Sequence, residues 1–333
     1  QGDLLQDTEL IDVLARTKQT AQEVKDKLAV AKETELKINS AREEYRPVAT
    51  RGSIMYFLIA EMSLVNPMYQ TSLSQFLVLF DLAIEKSERA AVSQKRIANI
   101  IQHLTFSIYQ YISRGLFEKH KLLFVMLLAA KIQLNEGVIT PSQFSLLLKG
   151  GAALDILTVR NKPFEWIPDE IWLNIMQLGE SVPEYRDIPD LLKMSEGSWK
   201  SWFDQEAPEA MALPETIENR GHSAFMKMVI IRCIRPDRAM LAASDYVRDT
   251  LGKAYIEALP LNLDAISQEG DAITPLVCLL SAGSDPSASI EALAKKKKIE
   301  LHSVSMGQGQ EILALKLLNR GVTAGSWVLL QNC

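Results

Sequence analysis

Pro275-Leu276-Val277-Cys278-Leu279-Leu280-Ser281-Ala282-Gly283-Ser284-Asp285-Pro286 is an apolar run that ends in a small-residue turn. It sets the fold of the C-terminal third. Residues 275–280 read as a short buried strand, and a helix is expected over about 287–297. Leu301 to Ser305 reads as a second strand, Gln310 to Leu318 as a helix and Trp327 to Leu330 as a third strand. Strand-helix alternation of this kind builds a parallel sheet with right-handed crossovers. Upstream, Phe225 to Cys233 and Ala239 to Leu251 read as helices separated by Arg235-Pro236-Asp237-Arg238. Trp327 to Leu330 is apolar throughout, which belongs in a sheet covered on both faces. The chain is therefore expected to be unfinished at its C-terminus and to expose apolar surface when expressed alone.

A phosphate-binding loop would sit between the first strand and the first helix. The working motif GxxxxGK[ST] wraps phosphates with backbone N–H groups and reaches them with its Lys. Gly283, Ser284, Asp285 and Pro286 supply one Gly, no Lys and a carboxylate that repels phosphate. Lys295 to Lys298 fall at the far end of the helix and read as a solvated terminus. The third strand ends in Gln331 and Asn332, where a Walker B strand carries acids that hold Mg²⁺ and activate water. These residues fit a nucleotide-binding fold stripped of its chemistry, and they fit equally an ordinary α/β core that never had such a site. Gly307-Gln308-Gly309 lacks the third glycine of a dinucleotide site. Gly221-His222-Ser223 lacks the second glycine of a nucleophile elbow. No catalytic residue set emerges.

The N-terminal half is helical. Residues 3–46 contain neither Gly nor Pro, and Leu14, Ala21, Val24, Leu28, Ala31, Ile38 and Tyr45 share one 3-4 seam interrupted by Thr17, Glu35 and Arg42. That narrow seam predicts coiled-coil packing. A hairpin over about 5–66 could bend at Pro47, or earlier near Glu33-Thr34. Four shorter helices follow, the last opened by Thr140-Pro141-Ser142-Gln143, a capping box, and stopped by Gly150-Gly151. Residues 152–220 hold six of the 13 prolines and four of the 5 tryptophans. Disordered linkers are poor in aromatics, so an ordered, irregular connector pinned by Trp166, Trp172, Trp199 and Trp202 is expected, its rings serving as core rather than as a ligand cage.

Composition narrows the function classes. Thirty-six basic and 41 acidic residues give a net charge of −5, which gives no support to nucleic-acid binding. The 3 cysteines and 4 histidines are scattered, so no metal site is expected. The longest apolar run, Leu122 to Ala130, is far short of the roughly 20 residues a membrane span needs. No secretory signal opens the sequence, and unpaired cysteines suit a reducing compartment. The start at Gln1 rather than Met points to a piece of something longer.

Seven stretches together resemble dynein heavy chains. They are Tyr45-Arg46-Pro47-Val48-Ala49-Thr50-Arg51-Gly52-Ser53, Pro67 to Leu73, Arg114 to Lys121, Arg232 to Arg238, Gly283 to Pro286, Ser305 to Glu311 and Trp327 to Cys333. The resemblance covers essentially the whole chain, in the family's order. It implies three parts. Residues 1–155 would be the small helical subdomain of the fifth AAA+ module, with a buttress-like projecting hairpin. Residues 156–224 would be a connector, and residues 225–333 an incomplete large subdomain of the sixth module. That fold class is α plus α/β: helical AAA+ small subdomain, then a partial parallel-sheet, P-loop-like large subdomain. Lys162-Pro163 and Trp199 to Asp204 resemble axonemal, outer-arm chains more than cytoplasmic ones.

The resemblance further implies a part without catalysis or cofactor of its own, within a parent that uses ATP and Mg²⁺. Its role would be to close the AAA+ ring and relay ring changes to the microtubule-binding stalk. Partners would be the remaining AAA+ modules and stalk of the same heavy chain, the microtubule indirectly, and dynein intermediate and light chains, in the cytoskeleton of a cilium or flagellum axoneme. Lys32, Glu33, Glu35 and Lys37 are the candidate stalk contacts. The alternatives are a P-loop NTPase with an unorthodox site and a free-standing coiled-coil adaptor.

Overall fold

The computed structural model describes residues 8–259, 262–270, 274–280 and 283–332. Two compact units divide the chain, Gln1–Glu257 and Ala258–Cys333.

The first unit opens with α1, Thr8–Glu44, a single helix of 37 residues. At about 1.5 Å per residue it is roughly 55 Å long. It runs without a bend through Glu33-Thr34 and stops at Tyr45, and every residue from 11 to 47 is exposed. The expected hairpin is therefore, among the described residues, a lone projecting helix with no second helix along its seam. Residues 5–7 of that expectation lie outside the described residues. Pro47 does not break a helix; it stands in the first turn of α2, Arg46–Glu61, where its missing N–H costs nothing. Arg46 braces the junction by gripping both oxygens of Glu43 at 2.7 and 2.6 Å.

The helices α3 (Leu73–Lys86), α4 (Ser93–Arg114), α5 (Glu118–Asn135) and α6 (Pro141–Lys149) follow as the apolar stripes predict. The Thr140 box forms: its hydroxyl accepts from the Gln143 N–H at 3.2 Å, and the Gln143 side chain accepts from the Thr140 N–H at 2.8 Å. The connector is ordered but helical rather than irregular. It contains α7 (Asp169–Ser181), α8 (Ile188–Met194), α9 (Glu196–Phe203) and the short α10 (Glu215–Glu218). Most of its prolines fall at helix starts, where they are harmless: Pro168 precedes α7, Pro189 lies in the first turn of α8 and Pro214 precedes α10. Trp172, Trp199 and Trp202 are buried, and the Trp172 indole donates to the Arg160 carbonyl at 2.6 Å.

Two further helices, α11 (Ala224–Ile234) and α12 (Ala239–Leu251), complete this unit by packing on α7 and α5. The division between compact units therefore falls at 257/258, past the expected module boundary at 224/225, with α11 and α12 in the first unit. The reason is apolar surface: α11 buries eight residues, from Phe225 to Ile234, and only a surrounding helical core can cover so many sides.

The second unit contains α13 (Leu263–Glu269), α14 (Ser287–Lys297), β1 (Leu301–Ser305), α15 (Glu311–Ala324) and β2 (Trp327–Gln331). β1 and β2 are parallel, with Leu301 opposite Trp327 and Ser305 opposite Gln331, and α15 is the crossover. Residues 275–280 are not a strand. No described segment pairs with them, and Leu276, Val277, Leu279 and Leu280 are 54–74% exposed. A strand needs a neighbour for its N–H and C=O groups, and here none is supplied.

Candidate functional site

The structure brings the start of α14 and the end of β2 to one place. Gly283 takes φ +84°, which favours glycine. Asp285 accepts the Ser287 N–H at 2.9 Å, at the first residue of α14. Hydrogen bonds from Ser287 hold its carboxyl below the usual carboxylate range. A phosphate would take the free N–H groups of this helix end; the carboxylate takes one of them and adds negative charge. From β2, the Gln331 amide donates to the Ser287 hydroxyl at 2.7 Å, and Asn332 donates to the Ser305 hydroxyl at 3.0 Å. The start of α14 and the end of β2 are therefore joined by a neutral side-chain bond. Ser281 and Ala282 lie outside the described residues.

The lysine run serves the far end of α14. Lys296 and Lys297 each reach Asp264 of α13 at 2.9 Å. Hydrogen bonds from these two lysines, Lys297 first, push the Asp264 pKa down to about 2. Lys298 ends the helix in the left-handed conformation, φ 57°. Positive charge there also suits the negative end of the helix dipole. Among the described residues no group of three potential metal ligands occurs, and no helix is long and apolar enough to cross a membrane.

Lys32, Glu33, Glu35 and Lys37 stand on α1, all exposed. Glu33 and Lys37 pair at 2.7 Å. Because α1 is continuous here, the four sit part-way along a helix rather than at a hairpin tip.

Three arginines that sequence reasoning passed over hold the first unit together. Arg51 of α2, with its side chain 15% exposed, donates to the Thr105 hydroxyl of α4 at 3.0 Å and reaches Glu136 beyond α5 at 3.4 Å. Burial lowers its pKa, and Glu136 partly offsets this. A cavity of about 440 Å³ opens beside it, walled also by Gln133, Glu136, Asp249 and Thr250. Arg235 donates to the carbonyls of Phe203 and Gln205, the latter at 2.9 Å, and grips Asp237 at 2.9 and 2.7 Å. Arg238 holds both oxygens of Glu209, one at 2.9 Å. So Arg235-Pro236-Asp237-Arg238, read as a helix break, is also the clamp that fastens the connector. Its signal was two arginines flanking an acid at the turn between two apolar helices. Tyr69 joins two of the motif stretches in the same way: its hydroxyl bonds His120 Nδ1 at 2.7 Å and accepts the Phe117 N–H at 3.0 Å. Cys233 is fully buried, which pushes its thiol up to about 12 and leaves it unreactive.

Comparison with known proteins adds a family to this geometry. The family described as dynein heavy chain region D6 P-loop domain matches residues 271–333. Across all 333 residues the chain is 50% identical to dynein axonemal heavy chain 8 of Homo sapiens. It is 51% identical over 334 aligned positions to the dynein gamma chain, flagellar outer arm, of Chlamydomonas reinhardtii, again along 100% of its own length. Identity is 36% with the dynein-1-beta heavy chain of the flagellar inner arm I1 complex from the same organism, also along 100% of the chain. The chain spans 7% of the length of each of these relatives.

Proposed function

We propose, from the premise that this chain is homologous along its whole length to one segment of the axonemal dynein heavy chains, that it is a structural and allosteric part of a microtubule motor. In this reading it helps close an AAA+ ring and passes the ring's ATP-driven shape change to the microtubule-binding stalk. The observation that carries the proposal is α1: a long helix, exposed along its whole described length from residue 11, that continues almost directly into α2. Met55, Leu58 and Ile59 of α2 are buried in the core. A lever rooted in a packed core transmits displacement without unfolding.

The fragment turns over no nucleotide in this proposal. Asp285 at the start of α14 and the amides of Gln331 and Asn332 stand where phosphate and metal ligands would be needed, which supports that view. ATP and Mg²⁺ act elsewhere in the parent chain. The partners are the other AAA+ modules and the stalk of the same heavy chain, with the microtubule and the intermediate and light chains reached through the whole assembly. The setting is the axoneme of a cilium or flagellum. The higher identity to an outer-arm chain than to an inner-arm one, 51% against 36%, favours the outer arm.

The test is made in the parent motor, with Glu33, Glu35 and Lys37 replaced by alanine. ATP-dependent microtubule release should be uncoupled while basal ATP hydrolysis persists. Normal release, with ATPase still fully stimulated by microtubules, removes α1 as the relay. The competing P-loop NTPase reading is tested by titration calorimetry at millimolar ATP. Absence of Mg-dependent heat is expected. A dissociation constant near micromolar, lost in Asp285→Ala, would establish the competitor instead.

A further inference from the structure

Every residue of the chain from 11 to 47 is exposed, so the direction of α1 is set at its root. The backbone there is discontinuous. The Tyr45 N–H donates to the Ala41 carbonyl at 3.2 Å, and the Val48 N–H donates to the Tyr45 carbonyl at 3.0 Å. Pro47 stands between them without an N–H, so the Glu43 carbonyl loses the donor that a continuous helix brings four residues on. Tyr45 lies outside both helices, at φ −86° and ψ 0°, and its side chain gives α2 no cap. The core side of the root is firm, because Val48, Gly52 and Met55 of α2 are buried. A side-chain ion pair spans the gap. Arg46, the first residue of α2, sets Nε and Nη2 on the two carboxylate oxygens of Glu43, in the last turn of α1, at 2.7 and 2.6 Å. Two parallel bonds of this kind fix orientation as well as distance. They also hold the Glu43 carboxyl below the usual carboxylate range. Glu43 has a second use for a cation, since a carboxylate in a last turn faces the negative end of its helix dipole. The side chains of Arg46 and Glu43 are 69 and 64% exposed, so the pair is open to salt.

We propose that residues 44–47 are a hinge on which α1 swings against the core, and that the Glu43–Arg46 pair is its latch. A hinge needs a broken ladder, a rooted side and a free arm, and this junction has all three. With the latch closed, α1 follows the core as one lever. With the latch open, the core shifts while the far end of α1 stays behind. The arm is long, so small tilts matter: over roughly 55 Å, a tilt of about 10° carries the far end through about 10 Å. The hinge is a property of this chain by itself. Its consequence for a stalk rests on the relay reading above.

The experiment reads the direction of α1 in the full chain by double electron–electron resonance. Nitroxides are attached at two exposed positions, Ala31→Cys on α1 and Gln94→Cys at the start of α4. Cys278→Ser and Cys333→Ser clear the background, and Cys233 is buried. Arg46→Ala and Glu43→Gln should each raise the share of tilted conformers about threefold at low salt, seen as a broader interspin distribution. The charge-swapped pair Glu43→Arg with Arg46→Glu should restore the narrow one. Added salt should broaden the distribution of the unaltered chain and leave that of Arg46→Ala as it is. Pro47→Ala returns the missing N–H and should narrow the distribution even beside Arg46→Ala. Circular dichroism should stay constant throughout, because every substituted residue is exposed. An unchanged width in Arg46→Ala and Glu43→Gln, or a swapped pair that stays broad, overturns the latch. An unchanged width in Pro47→Ala overturns the hinge. None of these readouts measures motility, so a failed relay test with a retained hinge would sink the relay alone.

Discussion

At the scale of single residues, the least yielding positions are those where backbones meet. A Cβ on Gly151 would lie 2.4 Å from the backbone C and O of Leu173, whereas one on Gly52 would meet the Phe80 ring at 2.4 Å. A ring can rotate and a packed helix backbone cannot. Gly151→Ala should therefore destabilise the chain by about 1–3 kcal/mol, and Gly52→Ala by less; urea unfolding of the two variants checks the order. Electrostatics gives a second expectation. Asp264 is held down to about 2 from an ordinary 3.8. Its pairing with Lys297 and Lys296 therefore adds stability in full above about pH 4, and that contribution is lost as the pH falls through 2. Carboxyl-carbon NMR should give a titration midpoint near 2. A midpoint near 4 would mean that the α13–α14 link does not form in solution. Asp264→Asn should loosen that link at pH 7, seen as faster amide exchange in α13.

Helices and strands show which signals a sequence carries by itself. The positions of α3 and α4 were legible from their apolar stripes, that of α5 from its broadly apolar run, and that of α6 from local cap chemistry, Thr140 with Gln143. The continuity of α1 was not, because a heptad seam states that a partner helix exists without saying whether it follows in the same chain. Residues 275–280 misled for a related reason: apolar character identifies a segment that wants cover, and pairing is a property of its neighbour. At the candidate loop, Asp285 and the lack of a Lys were legible as residues. The bond between Gln331 and Ser287 was not, since it joins residues 44 apart through the sheet. Burial separates leucines that look alike in sequence. Leu28 of α1 is 54% exposed and Leu58 of α2 is 0% exposed. Leu28→Ala should leave thermal stability within about 0.5 kcal/mol, whereas Leu58→Ala should cost about 2–5 kcal/mol. A comparable loss from Leu28→Ala would show that the seam is already covered in the isolated chain.

Over the whole molecule, the two units differ in how much core each one holds. The first buries entire helix faces, including Phe124 to Ile132 of α5 and most of α11. Among described residues of the second, the buried apolar side chains are Ala294, Val304 and Ala314, while Ile312, Leu315 and Val322 of α15 are 80, 60 and 86% exposed. A two-stranded sheet with one buried residue on β1, Val304, and only partly buried side chains along β2 has little to hold its ladder. Amide exchange follows local opening, and opening is cheap where few apolar contacts must break. Hydrogen-exchange mass spectrometry on this chain should therefore show slow exchange in α5 and α11, and exchange faster by orders of magnitude in β1 and β2. The same surface should bind a hydrophobic dye. In the parent heavy chain, the proposed neighbouring modules would cover α15 and add strands to the sheet. Protection of residues 301–305 and 327–331 should then rise towards that of α11. If the isolated chain already protects β1 and β2 as well as α11, the second unit is stable by itself, and its exposed apolar face no longer argues for a neighbour.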